Sequence, residues 1–434
     1  MRDPLARLSR AAPAPGAGAE LSRGELARYS LFAAPLAMAA LPIYVHVPKL
    51  YAELGMPLTA LGALLLVLRF ADAFVDPLLG RWSDQLPSRF VACALAAPLL
   101  ALGMLLLLNP GWRGLPLSIW LSGSLVLVYL GFSLASIAHG AWGAERPYSP
   151  GARTTLTASR EAVGLVGVLV AAALPSLLGP SGQGASADGL ARFAWLFVGV
   201  LAIALLALWG VSERKQPLQP HARALSIVLR DGRFRRLLAV FALNGIASAI
   251  PATLILFFID DVLEAKDWEA LFLVVYFLAG ALAMPAWVLL SQRLGKVAAW
   301  ALGMALAVAA FVWAASFGAG DRVPFLIVCM ATGVALGADL ALPPSLLADA
   351  IARRGTQAYS GSYFGIWAFV TKVNLALAAG LALPAVAWFG YREGDPTSNL
   401  AALTAAYTLL PCALKLAALA LLVRFRHRLS ESLA

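Results

Sequence analysis

Twelve separate apolar runs, each about as long as a bilayer is thick, constrain this chain more than any other feature of its sequence. A helix rising 1.5 Å per residue needs about 20 mostly apolar residues to cross a hydrocarbon core roughly 30 Å deep. The runs fall at about 29–48, 58–79, 90–108, 116–141, 154–178, 191–211, 236–259, 269–291, 297–317, 323–347, 361–386 and 401–423. Each is too long for a barrel strand and none alternates, so all twelve read as helices, numbered here as spans 1 to 12. Composition excludes the soluble alternative. Hydrophobic residues make up 61% of the chain and charged residues 13%, whereas soluble domains carry about 25% charge. The expected fold is an all-α polytopic membrane protein.

Charge orients the spans. With both termini on one side, that side collects 23 of the 33 Lys and Arg residues, the other side six, and four lie inside spans. The bias predicts cytoplasmic termini in a cell (inner) membrane. The net charge of +10 therefore reads as a topology signal, and no nucleic-acid partner is expected. Cys93, Cys329 and Cys412 each sit in an apolar run without metal-ligand spacing. They read as small buried side chains.

The longest basic connection lies midway and divides the chain. Residues 1–28 are expected to be a flexible cytoplasmic tail, 29–212 an N-terminal six-helix half, 213–236 a basic linker, 237–423 a C-terminal half and 424–434 a second tail. The halves echo each other: Glu145 near the end of span 4 matches Asp349 in span 10, and Arg160 in span 5 matches Lys372 in span 11, at offsets of 204 and 212. Two parallel six-helix repeats around a midplane site are the major facilitator architecture.

Ionisable groups inside a membrane are costly and mark function. Span 2 carries Arg69, Asp72 and Asp76 at i, i+3 and i+7, on one helix face, followed by Pro77. Two carboxylates one turn apart repel, and a proton or a cation relieves that repulsion. Asp72 and Asp76 are thus the candidate coupling pair, with oxygen ligands that suit sodium, and Arg69 is a candidate internal partner. Arg160, with Gly164 and Gly167 on its face, is a candidate substrate residue, and its neighbour Glu161 points away to pair locally. Lys372 lies near mid-depth in span 11 and is expected to face the cavity. Asp339, in the adjacent span 10, is a candidate partner for Lys372 and a candidate substrate contact. His139 in span 4 is a candidate substrate or proton-relay group, against the plainer reading of a satisfied packing histidine. Lys415 is expected to snorkel or pack structurally. At the inner end of span 2, Gly80, Asp84 and Arg89 form a compact helix–loop–helix expected to gate, together with Glu145 and Asp349.

The stretch from Asp72 to Gly80, Asp-Ala-Phe-Val-Asp-Pro-Leu-Leu-Gly, resembles the second helix of the glycoside–pentoside–hexuronide:cation symporter family, the melibiose-permease-like branch of the facilitators. Ile137 to Glu145, Arg160, Leu347-Ala-Asp349 and Gly361-Ser-Tyr-Phe-Gly365-Ile-Trp with Lys372 extend the likeness over most of the chain after residue 28. The resemblance implies that Asp72 and Asp76 are cation-site carboxylates, that Arg160 contacts a sugar and that Lys372 lies beside the cation. Two departures matter. The family's helix 4 aspartate aligns with Ser136, with Ala138 and His139 where Pro and Tyr follow it, and span 1 has no acidic residue. Proton coupling or weak sodium affinity is expected on that ground.

The expected function is secondary active symport of a sugar-like or small polar solute, coupled to H+ or Na+, without another cofactor and as a monomer in the lipid bilayer. Branches of the superfamily also resemble lysolipid transporters, so an amphipathic solute is the second reading. An enzyme is the third. Intramembrane prenyltransferases use paired Asp-x-x-x-Asp motifs, but here there is one motif inside twelve spans in two halves. No Walker loop is present, which argues against ATP-driven transport.

Overall fold

A computed structural model of the chain describes residues 21–111, 116–146, 148–179, 186–211, 224–392 and 399–430. It is nearly all helical. Eleven helices among these residues are long and apolar enough to cross a membrane, beginning with span 2 at Leu58–Ser83 and ending with span 12, which runs from Leu400 to Leu429. Span 1 is the exception because it is broken into Arg23–Leu31, Ala33–Leu41, a π turn at Pro42–His46, and Val47–Glu53. Pro42 opens the π turn and Pro48 follows it, each lacking the N–H that an α-helical ladder needs. The run is apolar enough to cross, but its backbone is segmented.

The remaining spans follow in order: 3 at Arg89–Leu108, 4 at Leu117–Glu145, 5 at Pro150–Leu178, 6 at Ala187–Trp209, 7 at Gly232–Phe257, 8 at Glu269–Leu294, 9 at Lys296–Phe311, 10 at Arg322–Arg354 and 11 at Ser360–Trp388. Their starts carry the expected capping chemistry. Ser88, Ser149 and Ser186 accept from Val91, Ala152 and Gly189, and Asp231 accepts from two N–H groups of span 7. Span 10 ends on Gly355 in the left-handed region, where a side chain would be strained. Most of the expected tail 1–28 and half of the basic linker lie outside the described residues. Within them, helix begins already at Arg23, a short helix spans Ala224–Leu229, and span 12 continues to Ser430.

Each half has its own core. One cluster gathers spans 1 to 6, for example Phe32, Trp142, Phe193 and Phe197. A second collects C-half residues such as Trp300 and Tyr363 but also takes in Ile137, Ala141 and Ala144 from span 4. Those three lie near the end of span 4 that faces the Lys- and Arg-rich connections, called here the basic end. The halves therefore share a core at that end.

Candidate functional site

Span 2 lies against span 11, and span 5 against spans 8 and 10. Glycine makes the first crossing possible. A Cβ on Gly365 would sit 2.6 Å from the carbonyl oxygen of Asp76 and 3.1 Å from Cα of Gly80, while one on Gly80 would overlap the carbonyl of Gly361. Backbone thus rests on backbone from the basic end up to the level of Asp76. Immediately beyond, the long Lys372 arm bridges the halves.

Lys372 Nζ donates to Asp72 Oδ2 at 2.7 Å, Asp76 Oδ1 at 2.8 Å and Ser133 Oγ at 2.7 Å. Ser133 Oγ in turn donates to Asp72 Oδ1 at 3.0 Å. Asp76 is fully buried, and its second oxygen has no hydrogen-bond partner. The cluster holds two carboxylates and one ammonium. Asp72, Asp76 and Lys372 are brought together, as the family resemblance implied. Arg69, expected on the same stripe, is exposed, and the ammonium that bridges both carboxylates is that of Lys372. Ser133 was not anticipated. It lies one turn before Ser136 on the same face, which is the signal that could have identified it.

At the basic end a related arrangement occurs twice. Asp84 accepts from Gly361 N–H at 2.7 Å, Ser362 N–H at 2.8 Å and Ser362 Oγ at 2.6 Å, so a carboxylate from the N half caps the start of span 11. Arg89 holds Asp84 in place, donating to it at 2.6 Å, to Glu145 at 2.7 Å and to Ser83 at 2.7 Å. On the other side of the crossing, Asp349 accepts from Lys296 at 2.6 Å and from Arg153 of span 5 at 3.1 Å. Thr154 and Ser345 bond across the halves at 3.1 Å, and Lys296 reaches Ser345 Oγ at 2.6 Å. Arg89 and Lys296 are 207 residues apart, Glu145 and Asp349 204, so the two latches occupy equivalent places in the two repeats. The residues Gly80, Asp84, Arg89, Glu145 and Asp349 all lie in or beside them. Lys296, Arg153 and Ser362 were missed, although the repeat offset points to Lys296.

Two expectations, for Asp339 and His139, are corrected, and the alternatives for Lys415 are resolved. Asp339 does not pair with Lys372; its partners are Lys415 at 2.7 Å and the indole N–H of Trp300 at 2.9 Å. Of the two roles expected for Lys415, structural packing is the one it takes: it is buried and also donates to Asn244 at 2.9 Å and Ser248 at 3.2 Å. His139 is buried against span 1, its Nε2 at 2.9 Å from the Tyr29 carbonyl while the Tyr29 hydroxyl donates to its own carbonyl at 2.6 Å. That is the packing role rather than a relay facing a cavity. Arg160 is half-buried and paired with Glu161, Nε to Oε1 at 3.0 Å. The glycines on its face admit span 1, since a Cβ on Gly167 would meet the Ala34 backbone at 2.5 Å.

The Asp339–Lys415 pair makes a direct prediction. Removing one member of a buried ion pair leaves an uncompensated charge and costs about 3–5 kcal/mol. Lys415→Met is expected to lower the thermal midpoint in detergent markedly, and Asp339→Asn combined with it is expected to recover much of the loss. An additive double variant would show that the two do not stabilise each other.

The sequence pattern of the MFS/sugar transport protein family matches residues 29–427, and the chain belongs to that family. It is an integral membrane protein and a transporter of the major facilitator class, with the twelve-helix fold of that class. A curated relative, the sodium-dependent lysophosphatidylcholine symporter 1-A of Danio rerio, is 24% identical over 177 residues, covering 40% of this chain and 33% of the relative. The match therefore spans about a third of that protein's length. Among solved structures, a bacterial homologue of the iron transporter ferroportin in its outward-facing state superposes with a TM-score of 0.73 at 18% identity, covering 93% of this chain and all of that one. The E. coli fucose:proton symporter follows with a TM-score of 0.66 at 15% identity, covering 94% and 98%. These likenesses establish the fold.

Proposed function

We propose that the chain is a cation-coupled symporter in which Asp72 and Asp76, bridged by Lys372, take up and release one proton or sodium ion. The observation that carries this reading is the unpartnered, fully buried Asp76 Oδ2 beside an ammonium already shared by two carboxylates. With both carboxylates ionised the cluster has one net negative charge, and one bound cation brings it to zero. A net charge at mid-membrane costs at least ~2.5 kcal/mol, so solute crosses with the neutral, cation-loaded cluster, and the carrier returns after the cation and solute are released. Both latches are made in this conformation, and the cross-half hydrogen bonds described above lie between mid-bundle and the basic end. By the positive-inside bias that end is cytoplasmic, so the conformation is closed on the cytoplasmic side. The Asp72 to Gly80 motif and the reach of Lys372 support placement beside the glycoside–pentoside–hexuronide:cation symporters.

The solute is a sugar-like or small polar molecule, a reading supported by the family and by the half-buried Arg160, whose forked donors suit paired hydroxyls. A second reading, an amphipathic solute of the lysolipid kind, is favoured by a cavity of about 200 Å³ in the C half. Tyr276, Phe277, Phe311, Phe325 and Tyr407 wall it, and Lys415 and Asp339 lie at its polar end. The Danio rerio relative points the same way.

Proteoliposomes exposed to sugars and to lysolipids, with sodium and proton gradients imposed separately, test both readings. Uptake of neither class under either gradient would overturn the proposal. On the sugar reading, Arg160→Lys is expected to weaken solute affinity in purified, monodisperse protein while leaving thermal stability near wild type. Unchanged affinity would assign Arg160 to the scaffold.

A further inference from the structure

A groove of about 920 Å³ runs outward from the second latch, whose Thr154, Lys296 and Asp349 line one end of it. Its long walls are the start of span 9 and the end of span 12. On span 9, Ala298, Leu302 and Ala305 recur at helical spacing and are all exposed. Across from them stand Leu419 and Val423 of span 12. Small side chains facing branched ones leave a shallow apolar channel along the helix axes. In an integral membrane protein, exposed apolar faces such as Leu302, at 47%, and Val423, at 46%, meet lipid chains.

The charged end of the groove is distinct. Lys296, Arg353 and Arg426 line it together with His427, against the single carboxylate of Asp349 among the lining residues. Asp349 pairs with Lys296 at 2.6 Å and with Arg353 at 3.7 Å, so the lining sets three Lys and Arg side chains against one carboxylate. Arg426 and His427 are exposed and adjacent, with Arg426 Nε 3.2 Å from His427 Nε2. An apolar channel ending in arginines at the Lys- and Arg-rich face has the two-part chemistry of an acyl chain and a phosphate. Basic pockets between transmembrane helices on that face recognise anionic headgroups, and a guanidinium fork matches phosphate oxygens.

We propose that this groove binds a phospholipid with an anionic headgroup, its phosphate on Arg426 and His427 beside Arg353 and one acyl chain along the alanine strip of span 9. The occupant is taken from the bilayer and is separate from the transported solute.

Native mass spectrometry of the purified full-length protein, exchanged into micelles with equimolar phosphatidylglycerol and phosphatidylcholine, tests it. Preferential retention of phosphatidylglycerol is expected. Arg426→Gln with His427→Gln is expected to lower that retention about fivefold, in line with about 1 kcal/mol for the one arginine charge removed at a membrane surface. Ala305→Trp leaves every charge in place and blocks the chain path, and it is expected to lower retention similarly. Arg424→Gln, exposed on the same helix but outside the groove, is expected to change nothing. Equal retention of the two lipids would overturn the proposal, as would an equal loss with Arg424→Gln. Displacement of the lipid by free glycerol phosphate would overturn it too, because it would reveal an anion site without a chain channel.

Discussion

Asp76→Asn is expected to abolish accumulation of solute against a gradient while leaving exchange of solute across the membrane intact. The substitution removes one negative charge from the cluster of Asp72, Asp76 and Lys372, which then sums to zero without any bound cation. The occluded state no longer requires the ion, so solute crosses in the variant without a cation, which it does not do in the wild type. Packing changes little, because Asn has nearly the shape of Asp and its amide can still meet Lys372 and Ser133. Uptake in proteoliposomes should reach equilibrium and stop there, with or without an imposed proton or sodium gradient. If the variant still concentrates solute, coupling lies elsewhere.

The second large effect concerns the closed basic end. Gly365→Val would bring a side chain to 2.6 Å from the Asp76 carbonyl, 3.1 Å from Gly80 Cα and 3.2 Å from Pro77 Cα. All three neighbours are backbone, so no side-chain rotation relieves the overlap, and spans 2 and 11 must separate. The latches through Asp84 and Asp349 then lose their partners across the halves, and the opposite conformation gains population. Thr154 is fully buried against Ser345 in the closed state. An impermeant maleimide should therefore hardly modify Thr154→Cys alone but modify it readily when Gly365→Val is added. Cys93, Cys329 and Cys412 are all buried and give little background. A Thr154→Cys site that stays unreactive would mean that the halves close without the glycine crossing. Transport by Gly365→Val should fall at least tenfold, since a state that cannot close cannot complete the cycle.

Much of this architecture was legible because a membrane imposes two coarse rules, apolar length and charge bias. Asp72 and Asp76 stood out as charges in an apolar helix, and Lys372 for the same reason. What was not legible is instructive. Asp339 was matched to Lys372 because spans 10 and 11 are consecutive, yet span 10 packs chiefly on spans 8 and 9, and the Lys415 arm reaches Asp339 from span 12. Chain order does not fix neighbours in a bundle. Ser133 gave no signal because a single hydroxyl in an apolar run is ordinarily satisfied by its own helix, as Ser124 is by the Trp120 carbonyl. Span 1 read as one continuous run because hydropathy counts side chains and not the N–H groups that Pro42 and Pro48 lack. Lys296 and Arg153 lie at loop ends, where basic residues usually signal topology only. Their latch role emerges from the fold of Asp349 back onto span 5.

The central claim is that one cation neutralises the Asp72–Asp76–Lys372 cluster in each transport cycle. The most direct test is the reversal potential of solute-driven current in proteoliposomes, measured with the first neutral solute that the uptake screen returns. The account predicts a shift corresponding to one positive charge per solute in the wild type, and no current in Asp76→Asn although exchange continues. Electroneutral transport by the wild type, or an unchanged current in the variant, would contradict it.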